Sequence, residues 1–241
     1  AGITYKPLPN ASVYAAYGTS SNPVGNELDG NGDSYGGISS GNKLLDPERN
    51  TSIEIGTKWE LMQRRLLATA AVFQTDKENA REAQGQLVFS TGAYRLRGVE
   101  LGLAGNVSSA LSLYGGLVVM ESEVKESFNP ANIGRPFANI AHESFNLLAK
   151  YRVNDWFTIG GQATYRGKIR GGTLAANNNT IDDFWRFDAL AEIKLGEHHT
   201  LQLQVLNVTN EVIYDALYRS GTPFVYVAPG RVGYATLQIR Y

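Results

Sequence analysis

Asp29, Asn31 and Asp33 place side-chain oxygens at alternate positions of the stretch DGNGDSYGG, residues 29–37. A calcium loop supplies ligands from its first half in this way. Ser34 stands where such a loop needs glycine for its sharp turn, and Ser40 where it needs the closing glutamate. The stretch therefore reads as a Gly-rich loop. Serines, aspartates and the histidines His142, His198 and His199 could in principle build a nucleophilic site. No G-x-S-x-G elbow and no H-E-x-x-H run sets them up for it. With no cysteine, a disulfide scaffold, a thiolate metal site and a thiol nucleophile are excluded. No enzyme activity and no resident cofactor are expected. Two other stretches suit binding better than bond-breaking. RGKIRGG, residues 166–172, gathers basic charge among glycines, and residues 217–231 alternate aromatic and small side chains between Arg219 and Arg231.

The elements that would position these residues follow a period of two. Trp185, Phe187, Ala189, Ala191 and Ile193 fall on one face, with Arg186, Asp188, Glu192 and Lys194 interleaved. Phe145, Leu147, Ala149 and Tyr151 alternate with Ser144, Asn146, Lys150 and Arg152, and Ile53, Ile55, Trp59 and Leu61 with Glu54, Lys58 and Glu60. About eleven strands are expected, near 2–7, 11–20, 49–61, 65–77, 93–105, 110–123, 141–153, 156–168, 183–195, 199–214 and 230–241. Connections at 7–10, 62–64, 106–109, 153–155 and 196–198 are short, whereas those at 21–48, 78–92, 124–140, 169–182 and 215–229 are long and polar.

Strict alternation of short and long connections puts every long loop at one end. A soluble sandwich has no reason to do this; a transmembrane barrel does. Charges such as Arg186, Asp188, Glu192 and Lys194 are costly in a packed core and cheap in a water-filled lumen. The apolar face would meet lipid, where only a closed barrel satisfies every backbone group. Trp59, Tyr151, Trp156 and Phe157 lie beside short turns, where an interface girdle sits. The fold class is thus all-β, an antiparallel transmembrane β-barrel. A formal net charge of −1 gives no reason to expect nucleic acid as a partner.

At this point a family resemblance emerges. LLDPERNTSIEIGTKWEL (44–61) resembles the L-x-P-E-x-x-x-x-Y-E-x-G-x-K segment of TonB-dependent outer-membrane receptors, with Ile53 in place of the usual aromatic. The segment from 94 to 124 is similar to the family's R-x-x-G-x-E-L hairpin. FANIAHESFNLLAKY (137–151) resembles its N-x-P-x-H-S-F-x-L strand, and LQVLNVTNEVIYDALY (203–218) its N-V-x-N-x-x-Y segment. FWRFDALAEIKL and YRSGTPFVYVAPGR look most like the Fiu-type receptors for ferric catecholates.

The resemblance implies a 22-stranded barrel, a plug domain inside it and a TonB box reaching the TonB–ExbB–ExbD complex. It implies that this chain, residues 1–241, is the C-terminal half of that barrel, with Ala1 near strand twelve. Plug, TonB box and the N-terminal strands lie outside it. The implied function is TonB-driven import of a ferric siderophore, with iron present only as cargo. A ferric catecholate is anionic and aromatic, which favours Lys43, Arg49, Arg81, Arg135, Phe137, Lys168, Arg170, Tyr218, Arg219, Phe224 and Tyr226 in the long loops. Lipid and lipopolysaccharide are the other expected partners. The final GYATLQIRY resembles the signal that barrels present to their assembly machinery, carried by Leu237, Ile239 and Tyr241. Competing readings are a passive porin, a receptor for cobalamin or a carbohydrate, an outer-membrane enzyme with a wall-mounted Ser/His pair, and a soluble β protein.

Overall fold

A computed structural model describes residues 1–24, 43–84, 87–171, 179–217 and 224–240. The stretch DGNGDSYGG and the residues Tyr218, Arg219 and Tyr241 lie outside the described residues. In chain order the strands are β1 (Gly2–Leu8), β2 (Ala11–Asn22), β3 (Glu48–Leu61), β4 (Leu66–Gln84), β5 (Leu87–Asn106), β6 (Leu111–Glu126), β7 (Glu143–Arg152), β8 (Phe157–Arg166), β9 (Ile169–Arg170), β10 (Thr180–Ile181), β11 (Phe184–Lys194), β12 (His199–Leu206), β13 (Tyr214–Leu217), β14 (Val225–Val227) and β15 (Val232–Ile239). A single 3₁₀ turn, Pro130–Asn132, interrupts this order among the described residues. Eleven strands make one sheet in the order β1-β2-β3-β4-β5-β6-β7-β8-β11-β12-β15, and the pairs β9–β10 and β13–β14 stand apart.

Every pairing in the large sheet is antiparallel, so residues directly opposite one another share a face. Across β3 to β7 one face carries the rows Ile55–Val72–Val99–Val119 and Thr57–Ala70–Leu101–Leu117–Phe145. Further along, Leu203 faces Ala191 and Ala235, and Leu201 faces Ile193 and Leu237. The opposite face carries Glu54, Lys58, Glu100, Lys150, Asp188, Glu192 and Gln202. Tyr14 belongs to this polar face. A Cβ at Gly56 would sit 2.6 Å from its ring, so only glycine lets Tyr14 lie flat there, and its hydroxyl donates to Glu54 at 2.5 Å.

The apolar face is open to its surroundings. Ile55 is 57% and Leu237 55% exposed, whereas the buried apolar cluster among the described residues is Ala141, Ile169, Ile181 and Leu217. A continuous apolar surface of this extent marks an interface, not a soluble exterior. On β6 the apolar row runs from Leu111 to Val119. At about 3.3 Å per residue and a tilt of about 40°, those residues span roughly 20 Å, most of the ~25 Å band of an outer-membrane barrel. Aromatics close the band at both edges. Trp59 and the Trp156–Phe157 pair, with centroids 5.6 Å apart, lie at the short-turn end. Trp185 stands 4.8 Å from Tyr165 and 6.1 Å from Phe145 at the other.

Two segments differ from the sequence reading. Residues 78–92 are not a long loop: β4 and β5 continue as a hairpin to Gln84 and from Leu87. Both faces of this extension lie beyond the apolar band, so no alternation is imposed on them. A register shift between Lys77 and Ala80, with Asn79 at φ 55°, further breaks the period. The strand expected over 199–214 stops at Leu206. Asn207 takes φ 53° and leaves the ladder, and Tyr214–Leu217 pairs with Val225–Val227 instead.

Candidate functional site

The long connections assemble above the apolar band into two groups. The first centres on Glu48, the glutamate of the Pro-Glu pair that opens β3. It is only 7% exposed. Its carboxylate accepts from the Asn22 side chain at 2.8 Å and the Arg81 backbone N–H at 3.2 Å. The Lys77 ammonium lies 3.0 Å from it. Burial pushes the Glu48 carboxyl up, but these donors outweigh it and hold the group below its ordinary value. The Arg81 guanidinium turns to the Asn22 carbonyl at 2.9 Å. Loop ends 22 and 48 are thereby tied to the β4 extension. A carboxyl held down in the folded state stabilises it above the unfolded value, about 4.3, and that contribution is lost as pH falls through the lower folded value. Proteolysis at the ends of the β2–β3 connection is therefore expected to quicken in the native protein as pH falls below about 4.3. Glu48→Gln is expected to weaken this end by about 1–3 kcal/mol and to remove the Glu48 share of the pH dependence.

The second group spans β6 to β14. Glu82 on β4 accepts from the Ser127 hydroxyl at 2.5 Å and the Phe128 N–H at 2.7 Å, while Phe128 stacks on Phe89 with centroids 4.8 Å apart. Phe137 packs edge-on to Tyr94 at 5.0 Å. Burial, together with Glu82 and Glu48, raises the Tyr94 hydroxyl to about 12, so it stays a neutral donor. Asn139, at φ 58°, mimics a strand partner: it donates to the Leu217 carbonyl and accepts the Leu217 N–H, both at 2.9 Å. The Arg166 guanidinium donates to the carbonyls of Tyr214 and Asp182 at 3.1 Å and to that of Asp215, and lies 4.9 Å over Phe184. With Ala141, Ile169, Ile181 and Leu217 between them, the connections after β6, β8 and β12 pack as one body.

The expected ligand-binding residues divide accordingly. Lys43 is exposed just before β3. Arg49 shares the outward face of β3 with Ile53 and Ile55. Arg81 is on β4, held at Glu48. Arg135 and Phe137 follow the 3₁₀ turn, the Arg135 carbonyl accepting from the Val124 N–H at 2.9 Å. Lys168 pairs with Asp182 at 2.9 Å. It shares a cleft of about 380 Å³ with Arg170. Phe224 and Tyr226 are exposed beside and on β14. Arg95 and Arg97, which line the same cleft as Lys168, were not anticipated; counting back by twos from Val99 would have flagged them as charges on the lipid-side face. Arg166 belongs to the basic RGKIRGG stretch, but nothing local marks its place among the loop carbonyls. No cluster of His, Cys, Asp or Glu suited to a metal occurs among the described residues.

The sequence profile of the family described as TonB dependent receptor-like, beta-barrel matches residues 1–208. A Bordetella pertussis protein named probable TonB-dependent receptor BfrD is 36% identical over all of this chain and 33% of its own length. The probable TonB-dependent siderophore receptor PiuA of Acinetobacter baumannii is 30% identical over 100% of this chain and 33% of its own length. The crystal structure of PiuA superposes on the whole chain with a TM-score of 0.90, covering 35% of that structure. The closed form of the ferric-catecholate import receptor Fiu from Escherichia coli superposes with a TM-score of 0.85 at 27% identity, over 100% of this chain and 34% of that one. The chain spans about a third of the length of the curated relatives it matches. An outward apolar band of bilayer height, polar inner rows, and a profile match over residues 1–208 agree: the chain belongs to the TonB-dependent receptor family and forms part of its outer-membrane β-barrel.

Proposed function

We propose that this chain is the C-terminal part of the barrel of a receptor that imports a ferric siderophore, a catecholate complex, with energy delivered through TonB. The observation that carries the reading is the superposition of the whole chain on 35% of PiuA, named a siderophore receptor, at a TM-score of 0.90. The loop end supports it: Arg81, Arg135, Lys168, Arg170, Phe137, Phe224 and Tyr226 offer guanidinium, ammonium and ring faces to an anionic aromatic ligand.

The two edges of the sheet, Gly2–Leu8 and Val232–Ile239, carry backbone groups with no partner in lipid. Such groups must be paired. Further barrel strands joining both edges, around a plug that reaches the TonB–ExbB–ExbD complex, would pair them. The outward row Leu237 and Ile239, followed by Tyr241, would serve as the assembly signal. In this reading the chain provides wall and part of the outer binding surface; the plug carries the energy coupling. Iron enters only as cargo.

The test is growth of an iron-starved strain, lacking its own catecholate receptors, that expresses the full-length protein. Ferric catecholate is expected to restore growth in the TonB-positive background and not in its TonB-negative counterpart. Growth in both backgrounds would mark a passive pore and sink the proposal. Failure in both would remove the catecholate assignment.

A further inference from the structure

We propose that an extended, basic peptide arriving from the cell exterior docks as an added strand on the upper half of β11, in the notch left where β12 ends. The inference rests on the outer-membrane placement of the sheet and is independent of the cargo.

β11 lies inside the sheet, between β8 and β12, yet its first half has a strand on one side only. It pairs with β8 from Phe184 to Ile193, but with β12 only from Ala189 to Lys194. Continued, the β12 register would set Asn207 opposite Phe187 and Thr209 opposite Trp185. Instead the chain turns away, and the Asn207 carbonyl accepts the Asn210 N–H at 2.9 Å. Successive residues of an antiparallel strand hydrogen-bond to alternate sides. The Lys194 N–H donates to Trp156 on the β8 side, and the Leu195 N–H to His199 on the β12 side. Trp185 and Phe187 share the parity of Leu195, so their backbone groups point into the notch. The Phe187 carbonyl accepts from the Val208 N–H at 2.7 Å. The Phe187 N–H and both backbone groups of Trp185 have no partner among the described residues. Further strands joining β1 and β15 would close the barrel without reaching them.

Unpaired strand groups are a template for another strand. Strand addition draws affinity from such groups and specificity from alternate side chains. Here the notch opens into a cleft of about 720 Å³, whose walls carry Asp182, Asp183 and Glu211 and, among the described residues, no cationic side chain. Lys168 reaches Asp182 at 2.9 Å, but the two are 57% and 84% exposed, and such pairs are weak. Trp185 and Phe187 stack 5.9 Å apart on the outward face, and Tyr214 stands in the same cleft. Carboxylates beside open ring faces select a strand that carries both basic and aromatic side chains. From Asp183 to Phe187 is five residues, roughly 16 Å of edge. Trp185 closes the apolar band at the long-loop end, so the docked peptide would lie at the outer membrane–water interface, where aromatic and basic side chains are both accommodated.

The test is residue-resolved hydrogen exchange of the purified full-length receptor with the peptide acetyl-Lys-Lys-Phe-Thr-Tyr-Lys-amide. The peptide is expected to slow exchange of the Trp185 and Phe187 amides at least fivefold and to leave Leu201–Val205 unchanged. The same peptide N-methylated at its Phe and Tyr keeps charge and rings but cannot pair, and is expected to give no protection. Asp183→Asn with Glu211→Gln is expected to weaken binding of the fluorescein-labelled peptide at least fivefold. Asp183→Lys with Glu211→Lys is expected to favour the analogue with Glu in place of Lys. Equal binding of the N-methylated peptide would show adsorption to rings and charge alone, and would overturn the proposal. Protection of both amides before peptide is added would also overturn it, because the chain itself would then fill the edge. Unchanged binding in both double variants would remove the basic character of the occupant and with it the proposal. Heat-modifiable migration shows that each variant is folded. Ferric-catecholate binding on the same samples separates the two readings: its loss with peptide binding retained counts against the cargo alone.

Discussion

Leu203→Arg is expected to cut the amount of folded receptor in the outer membrane at least tenfold, whereas Gln202→Arg, one residue earlier, is expected to leave it unchanged. Leu203 sits between Ala191 and Ala235 on the outward face, two residues from either end of its apolar row Leu201–Leu203–Val205. An arginine near the bilayer midplane of a barrel costs about 2–4 kcal/mol, a factor of roughly thirty to a thousand. The neighbours give it no relief, since both are alanines. Gln202 points the other way. It lies opposite Glu192 and Thr236, and its amide already donates to Glu192 at 3.3 Å. A cation there meets a carboxylate in water, and exposed charges of that kind shift stability by under about 1 kcal/mol. Urea unfolding in lipid vesicles, read by heat-modifiable migration, gives both values. Equal effects of the two substitutions would refute the assignment of faces, because a period of two leaves no intermediate register.

The faces were legible in the sequence because lipid and water impose opposite demands on successive residues. Leu201, Leu203 and Val205 against Gln202 and Gln204 is a pattern that only one pairing parity can satisfy, and the register follows it. Legibility ends where that demand ends. In KENAREAQGQLVFST both faces of the hairpin are polar surroundings, so its strands read as a loop. The site was legible in parts. Glu48 sits in the Pro-Glu pair of the segment that carries the resemblance, but its role as the point tying residues 22, 77 and 81 together needs three separate strands to converge. Asn139 and Leu217 are 78 positions apart, and no local spacing announces their two hydrogen bonds. Arg166 lay within the basic RGKIRGG stretch, where its charge suggested a ligand. Its three carbonyl partners show it holding loops together instead.

Asn207→Ala is expected to loosen the connection between β12 and β15 by about 2–4 kcal/mol while leaving the barrel wall intact. Asn207 is 1% exposed and performs three tasks at once. Its backbone N–H donates to the Asp188 carboxylate at 2.8 Å, fixing where the chain leaves the ladder. Its side-chain amide donates to the Glu211 carbonyl at 2.9 Å, and its side-chain oxygen accepts the Glu211 N–H at 3.0 Å, closing the first turn of the connection. Its backbone holds φ 53°, a left-handed conformation that asparagine tolerates and alanine resists by about 1 kcal/mol. Alanine also removes both side-chain hydrogen bonds to the Glu211 backbone, at about 0.5–1.5 kcal/mol each. Asn207→Gly separates the two terms: it relieves the backbone and still loses the side-chain bonds, so it should fall between native and alanine. Hydrogen exchange is the measurement. Amides of Tyr214–Leu217 and Val225–Val227 are expected to exchange at least tenfold faster in Asn207→Ala, and those of Val232–Ile239 at the native rate. Because Asn139 and Arg166 tie Leu217, Tyr214 and Asp215 to the connections after β6 and β8, the Phe137 region should loosen with them. Exchange confined to residues 207–213 would show that the three connections move separately, and that the outer surface is a set of independent loops.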